Sequence, residues 1–265
     1  MTGSLSWRVA VVGAGSWGTA VARHMALRGA DTFLLARRSD HARAMAHIRR
    51  NPDYLRNVPL PESLRVGTYP DFDFSDIDVV VLAVPSRGYA DVLRQLAPRL
   101  PVGVGILSLT KGLEPGTLRR FSVVLRESLA GLEPRVAILS GPNHAEEVSL
   151  DMPTATVISS SDAEFATGLQ ELVTDETLRA YVNPDVAGVE IGAAVKNVIA
   201  IATGTSDGVG YGDNTRAALM TRGLAEMSRL GQVFGADPLT FAGLAGLGDL
   251  IATCTSRHSR NRLAG

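Results

Sequence analysis

The run Arg8-Val9-Ala10-Val11-Val12 feeds directly into Gly13-Ala14-Gly15-Ser16-Trp17-Gly18, and this junction limits the fold more than any other feature of the chain. Arg8 to Val12 reads as a buried strand, and Trp17 to Arg28 as the helix that follows. The glycines between them have the form G-x-G-x-x-G. Gly13 permits the tight turn that ends the strand, Gly15 lets a pyrophosphate approach the backbone, and Gly18 allows the helix to pack closely on the strand. The helix then offers its first N–H groups and its positive dipole end to phosphate oxygens. A glycine turn alone is weak evidence. At the head of a strand–helix–strand unit it points to a bound dinucleotide.

The same alternation continues along the chain. Thr32 to Ala36, Asp78 to Val84, Val102 to Leu109, Arg135 to Ser140 and Thr154 to Ser159 read as further strands, separated by helical patterns. Apolar runs of this length divided by helices indicate a parallel sheet covered on both faces. After Asn183-Pro184 the residues favour helices and no strand pattern recurs. The fold class expected is therefore α/β: a doubly wound, Rossmann-type, mostly parallel sheet with a second, all-helical domain. Residues 1–183 form the dinucleotide-binding domain and residues 184–265 the helical substrate domain.

Composition removes several alternatives. A chain of 265 residues with 45% apolar and 20% charged residues belongs with ordinary soluble globular proteins. Its formal charge of −1 gives no electrostatic footprint for nucleic acid or an anionic membrane. Cys254 stands alone, so no internal disulfide forms, and no Cys/His cluster suggests a metal. The start lacks the basic segment and uninterrupted apolar stretch of a signal peptide, and no charge-free run is long enough to span a bilayer. A cytoplasmic setting is expected.

Several loops follow strands, at the carboxyl edge where open α/β sheets bind ligands. Arg37 and Arg38 stand where NAD-selective sites often carry an acidic residue, and together they suit a 2′-phosphate. That predicts NADP(H) over NAD(H); two solvated arginines are the plain alternative. Arginine far outnumbers lysine, so the few lysines carry more information. Lys111 follows an apolar strand, either as a solvated loop charge or as a phosphate or nicotinamide contact. In Ser140-Gly141-Pro142-Asn143-His144-Ala145-Glu146-Glu147, the N-x-x-E spacing predicts a helix capped by Asn143. His144 is expected to orient rather than to catalyse. Lys196 shares a helix face with Val189, Gly192 and Ala193. Either it snorkels to water or it is desolvated, with its pKa lowered toward the range useful for proton transfer. Asp249 caps a helix or pairs with a lysine. Arg260 and Asn261, after Ser259, either suit a phosphate monoester or begin an exposed polar helix.

Taken together, GAGSWGTA, TKGLE, SGPNHAEE, GAAVKNVIAIATG, GLGDL and SRNR occur in that order, and the series resembles the bacterial NAD(P)-dependent glycerol-3-phosphate dehydrogenases over nearly the whole chain. The resemblance implies reversible oxidation of sn-glycerol 3-phosphate to dihydroxyacetone phosphate, supplying the glycerol backbone of phospholipids. It places Ser16, Trp17, Arg37, Lys111, Ala145 and Arg260 at the cofactor, with Arg38 and Tyr54 nearby. It places Lys111, Gly141, Asn143, Asp249, Ser259, Arg260 and Asn261 at the phosphorylated small-molecule substrate, and makes Lys196 the proton acceptor in alcohol oxidation. Members usually continue for several more helices, so the helical domain is expected to be incomplete at its C-terminal end. A homodimer is left open. The rivals are a dehydrogenase of another hydroxy acid or phosphorylated sugar, and a non-catalytic dinucleotide-binding protein.

Overall fold

β1 (Arg8–Val12) is buried from Val9 onward because it has a strand on each side and helices on both faces. It pairs in parallel with β2 (Asp31–Ala36), setting Val9 against Thr32, and with β4 (Val79–Leu82), setting Val9 against Val79. Its side chains alternate between two cores. Val9 and Val11 pack with Met25 of α1 (Ser16–Leu27) and Leu169 of α6 (Ala163–Val173). Ala10 and Val12 pack with Leu93 of α3 (Tyr89–Leu96) and Leu125 of α4 (Phe121–Ser128). The computed structural model describes residues 7–265, so the first six residues of the start judged not to be a signal peptide lie outside those described.

Among the described residues the sheet has eight strands, in the order β3-β2-β1-β4-β5-β6-β7-β8. The others are β3 (Arg65–Thr68), β5 (Gly105–Ser108), β6 (Arg135–Ser140), β7 (Thr154–Ser159) and β8 (Leu178–Asn183), with α2 (Ser39–Ile48) between β2 and β3. Strand order reverses between β1 and β4, which opens a crevice above their carboxyl ends. The sheet is mostly parallel and doubly wound, as the sequence predicts. Only β7 runs against its neighbour β6, because the link between them holds just the short α5 (Ala145–Ser149) and turns the chain straight back.

Two strands escape the sequence patterns, and both are edges. β3 is four residues long and partly exposed, while β8 alternates between buried and exposed positions only as far as Tyr181. Neither forms the continuous apolar run that marks a central strand.

After Asn183 the chain is helical throughout the described residues. α7 (Val186–Gly208) begins where the Asp185 carboxylate accepts the Gly188 N–H at 2.8 Å. α8 (Asp213–Val233), α9 (Pro238–Ala242), α10 (Asp249–Thr255) and α11 (Arg260–Ala264) follow, and a wide π-type turn, Leu244–Gly248, delivers the chain into α10. By length and composition alone α7 could cross a membrane. Here α8, α10 and α11 pack against it, and it carries the buried charges of Glu190 and Lys196. It is the central helix of this unit.

Candidate active site

The glycine turn is built as its sequence demands. Gly13 has φ +113°, and a methyl group there would lie 2.4 Å from the Ala83 carbonyl oxygen. A methyl on Gly18 would lie 1.9 Å from the Gly13 carbonyl oxygen, so α1 can rest on the turn only because Gly18 has no side chain. Gly15 is different: nothing lies within 4 Å of the position its Cβ would take. That open space sits directly over the N-terminus of α1, whose first turn holds no acidic side chain and no side-chain cap. An anionic ligand fits there. The indole N–H of Trp17 is buried in the same turn without a partner.

Asn51 supports this turn from below, which sequence patterns did not reveal. It is fully buried, and its Nδ2 donates to the Ala14 carbonyl (3.0 Å) and to Thr19 Oγ1 (2.8 Å). Its Oδ1 accepts the N–H groups of Asp53 and Tyr54, which brings exposed Tyr54 beside the loop. The only local signal is the turn-forming Asn51-Pro52 pair.

The two arginines after β2 are not equivalent. Arg37 is exposed and makes no ion pair among the described residues. Arg38 faces Asp40 at 3.4 Å and Asp53 at 3.6 Å, and Asp53 is also held by His41 at 3.0 Å. Arg37 thus stands unpaired among the described residues, whereas Arg38 shares its charge with two exposed carboxylates.

The chain contains two lysines, and the fold brings both to one carboxylate. Asp249, the first residue of α10, is 2% exposed. Its Oδ1 lies 2.5 Å from Lys196 Nζ and its Oδ2 lies 3.2 Å from Lys111 Nζ. Lys111 also donates to the Gly141 carbonyl and to Asn143 Oδ1, each at 3.1 Å. Lys196 also donates to Thr253 Oγ1 at 3.0 Å, and that hydroxyl is fixed by its own bond to the Asp249 carbonyl.

Lys196 is 4% exposed and does not snorkel. Burial pushes its pKa down to about 7; the charge of Lys111 adds to the fall, and Asp249 opposes it. An amine poised there can give or accept a proton at neutral pH. The glycines of both segments allow this placement. A methyl on Gly192 of α7 would lie 2.9 Å from the Ala245 carbonyl oxygen in the turn that delivers Asp249.

Asn143 does not cap α5. The helix starts at Ala145 after His144, with no side-chain cap, and Asn143 reaches instead toward Lys111 and donates to Thr156 Oγ1 at 2.7 Å. The N-x-x-E spacing is correct, but two stronger partners hold the amide inward. His144 places Nε2 at 3.4 Å from the Ala252 carbonyl. Ser259 caps α11 by accepting the Arg262 N–H, and Asn261 Nδ2 donates to Asn197 Oδ1 at 2.7 Å. Arg260, the first residue of α11, is exposed, and its side chain makes no hydrogen bond or ion pair among the described residues. Within those residues no group of three or more His, Cys, Asp or Glu side chains is placed to hold a metal.

A buried lysine with its pKa near neutrality, sharing one carboxylate with a second lysine, is suited to proton transfer. Comparison with known proteins gives the family. Residues 8–166 match the N-terminal domain of NAD-dependent glycerol-3-phosphate dehydrogenase, and residues 185–265 match its C-terminal domain. A glycerol-3-phosphate dehydrogenase [NAD(P)+] of Pelotomaculum thermopropionicum is 49% identical over 98% of this chain and 75% of its own. That of Moorella thermoacetica is 50% identical over 97% and 76%. The crystal structure of glycerol-3-phosphate dehydrogenase from Coxiella burnetii superposes with a TM-score of 0.90 at 41% identity, covering 96% of this chain and 77% of that one. The chain belongs to the NAD-dependent glycerol-3-phosphate dehydrogenase family, and it is an NAD(P)-dependent oxidoreductase.

Proposed function

We propose that the chain reduces dihydroxyacetone phosphate to sn-glycerol 3-phosphate with NADPH, Lys196 acting as proton donor in that direction and acceptor in reverse. The observation that carries this reading is the Lys111–Asp249–Lys196 group, in which three separate segments bring two ammonium groups to one buried carboxylate. A reaction setting of this kind suits the cytoplasm, with the product serving phospholipid synthesis. We read residues 1–183 as the dinucleotide-binding unit and residues 184–265 as the substrate unit.

The nicotinamide, when bound, supplies the hydride. The chain supplies the rest. Gly13, Gly15, Ser16, Trp17 and Gly18 form the cradle for the pyrophosphate, with Ala145 at the head of α5 on the facing loop. Arg37 meets the 2′-phosphate, flanked by Arg38 and Tyr54. Lys111, held by Gly141 and Asn143, presents a fixed positive charge to the substrate. Asp249 orients both ammonium groups. Ser259 sets the start of α11, from which Arg260 and Asn261 reach the substrate phosphate. A spectrophotometric assay of NADPH oxidation with dihydroxyacetone phosphate tests the proposal, and binding of NADPH without its consumption would overturn it.

Cofactor choice is tested at Arg37. Arg37→Ala is expected to lower kcat/KM for NADPH by about 10–100-fold, the ~1.4–3 kcal/mol of a charge-assisted contact. Values with NADH should barely move. Equal loss with both cofactors would assign Arg37 to general support of the fold.

The glycine turn offers a paired test. Gly18→Ala forces its methyl against backbone atoms and is expected to cost about 1–3 kcal/mol, lowering Tm by about 2–4 °C for each kcal/mol. Gly15→Ala adds its methyl to open space, so Tm should hold while the Kd for NADPH rises by about tenfold or more, ~1.4 kcal/mol. A reversed pattern would remove the pyrophosphate from this turn.

A further inference from the structure

Glu190 is a buried charge that the chemistry above does not use. It lies on α7, is 4% exposed, and has a fully engaged carboxylate. Oε1 accepts the Ser122 N–H at 2.8 Å, and Oε2 accepts the Ser122 hydroxyl at 2.5 Å and Arg120 Nη1 at 3.0 Å. These partners mark the start of α4, at the far end of the loop that begins with Lys111. That loop closes on itself: Leu113 bridges Arg120, and the Glu114 N–H donates to the Arg119 carbonyl at 2.9 Å. Its base is braced again where the Tyr89 hydroxyl donates to Ser108 at 3.0 Å and the Tyr89 ring packs on Phe121 with centroids 4.3 Å apart.

Glu190 thus joins α7, which carries Lys196, to the end of the loop that carries Lys111. On α7, Lys196 follows Glu190 by six residues, about 9 Å of uninterrupted helix. Across the contact, the closed loop runs from Arg120 back to Lys111. Asp249 bridges the two ammonium groups at one end of this frame, and the Glu190 contact ties it at the other.

We propose that Glu190 is a positioning residue for the reaction, setting the separation of Lys111 and Lys196 by clamping the base of the Lys111 loop to α7. Buried ion pairs contribute little net stability compared with apolar replacements, and fixing geometry is a role they serve in some proteins. Misplacing a catalytic group by about 1 Å can cost about 100-fold in rate. The proposal rests on the roles assigned to the two lysines.

The test compares unsubstituted protein with Glu190→Gln and with the milder Ser122→Ala, all at a temperature well below Tm. Kinetics give the first readout. For Glu190→Gln, kcat for dihydroxyacetone phosphate should fall about 10–100-fold, while the Kd for NADPH, read by fluorescence, stays within about twofold. Ser122→Ala should give a smaller fall of the same kind, and it decides the matter if Glu190→Gln does not fold. The second readout needs no turnover. Because the chain has only two lysines, labelling by an amine reagent followed by mass spectrometry reports on this site alone apart from the N-terminus. Lys196 should label faster in both variants. Unchanged kcat and unchanged labelling, with only Tm lowered, would overturn the proposal. Unsubstituted protein that binds NADPH but leaves it unconsumed would instead overturn the assigned reaction, and the labelling would still decide the role of Glu190.

Discussion

Lys196→Ala is expected to lower kcat for dihydroxyacetone phosphate reduction by about 10²–10⁴-fold, the range of a positioned general acid. The Kd for NADPH should stay within about threefold, under ~1 kcal/mol. The asymmetry follows from where the group stands. Lys196 belongs to α7, whereas the glycine turn, Arg37 and Tyr54 all lie on the sheet unit before Asn183. Its removal also leaves Asp249 with a partner, because Lys111 remains at 3.2 Å, so no carboxylate is stranded. The pH profile sharpens the test. Reduction needs the protonated amine, whose pKa burial holds at about 7, so kcat for reduction should fall as pH rises through neutrality. Oxidation needs the neutral amine and should rise over the same interval. In Lys196→Ala both slopes should vanish. Near-normal turnover, or an unchanged profile, would remove Lys196 from the proton transfer.

The sequence made the centre of this molecule legible and left its margins obscure, for physical reasons. β1, β4 and β6 sit between other strands under helices on both faces, so their central residues are a continuous apolar run and announce themselves. The Gly13–Gly18 spacing is equally direct, because backbone contacts forbid a side chain at its two ends. β3 and β8 lie at the sheet edges, where partial exposure mixes the pattern. Asn143 shows the limit of local rules. Its spacing to Glu146 is that of a cap, but Lys111 and Thr156, distant in sequence, compete for the same amide. Glu190 bonds only to groups that the fold brings near, and Asn51 reaches the glycine turn the same way, with no more than a local turn signal to mark it. The lysine at position 196 was conspicuous for its apolar helix face; that it shares Asp249 with the only other lysine is a tertiary fact.

That shared carboxylate gives the second large effect. Asp249→Asn keeps the side-chain shape and removes the one negative charge both ammonium groups contact. Two unit charges about 4 Å apart interact by about 4 kcal/mol at an effective dielectric of 20, so the mutual repulsion of Lys111 and Lys196 is no longer offset. The group with less access to water must yield. Lys196 is the more buried, and Asp249 is what holds its pKa up against burial and against Lys111. In Asp249→Asn the Lys196 pKa therefore drops further, and the protonated fraction at neutral pH shrinks. Reduction at neutral pH is expected to fall by about 10²-fold or more, as when one preorganised charge-stabilising group is lost, with the fall in kcat for reduction moved to lower pH. Activity should partly recover on acidification, which Lys196→Ala cannot do, and this separates the two variants even if their neutral rates coincide. Binding of NADPH should be nearly unchanged. A loss of rate that is uniform across pH would mean that Asp249 merely starts α10, and that the proximity of its carboxylate to both lysines has no part in setting the proton affinity of the site.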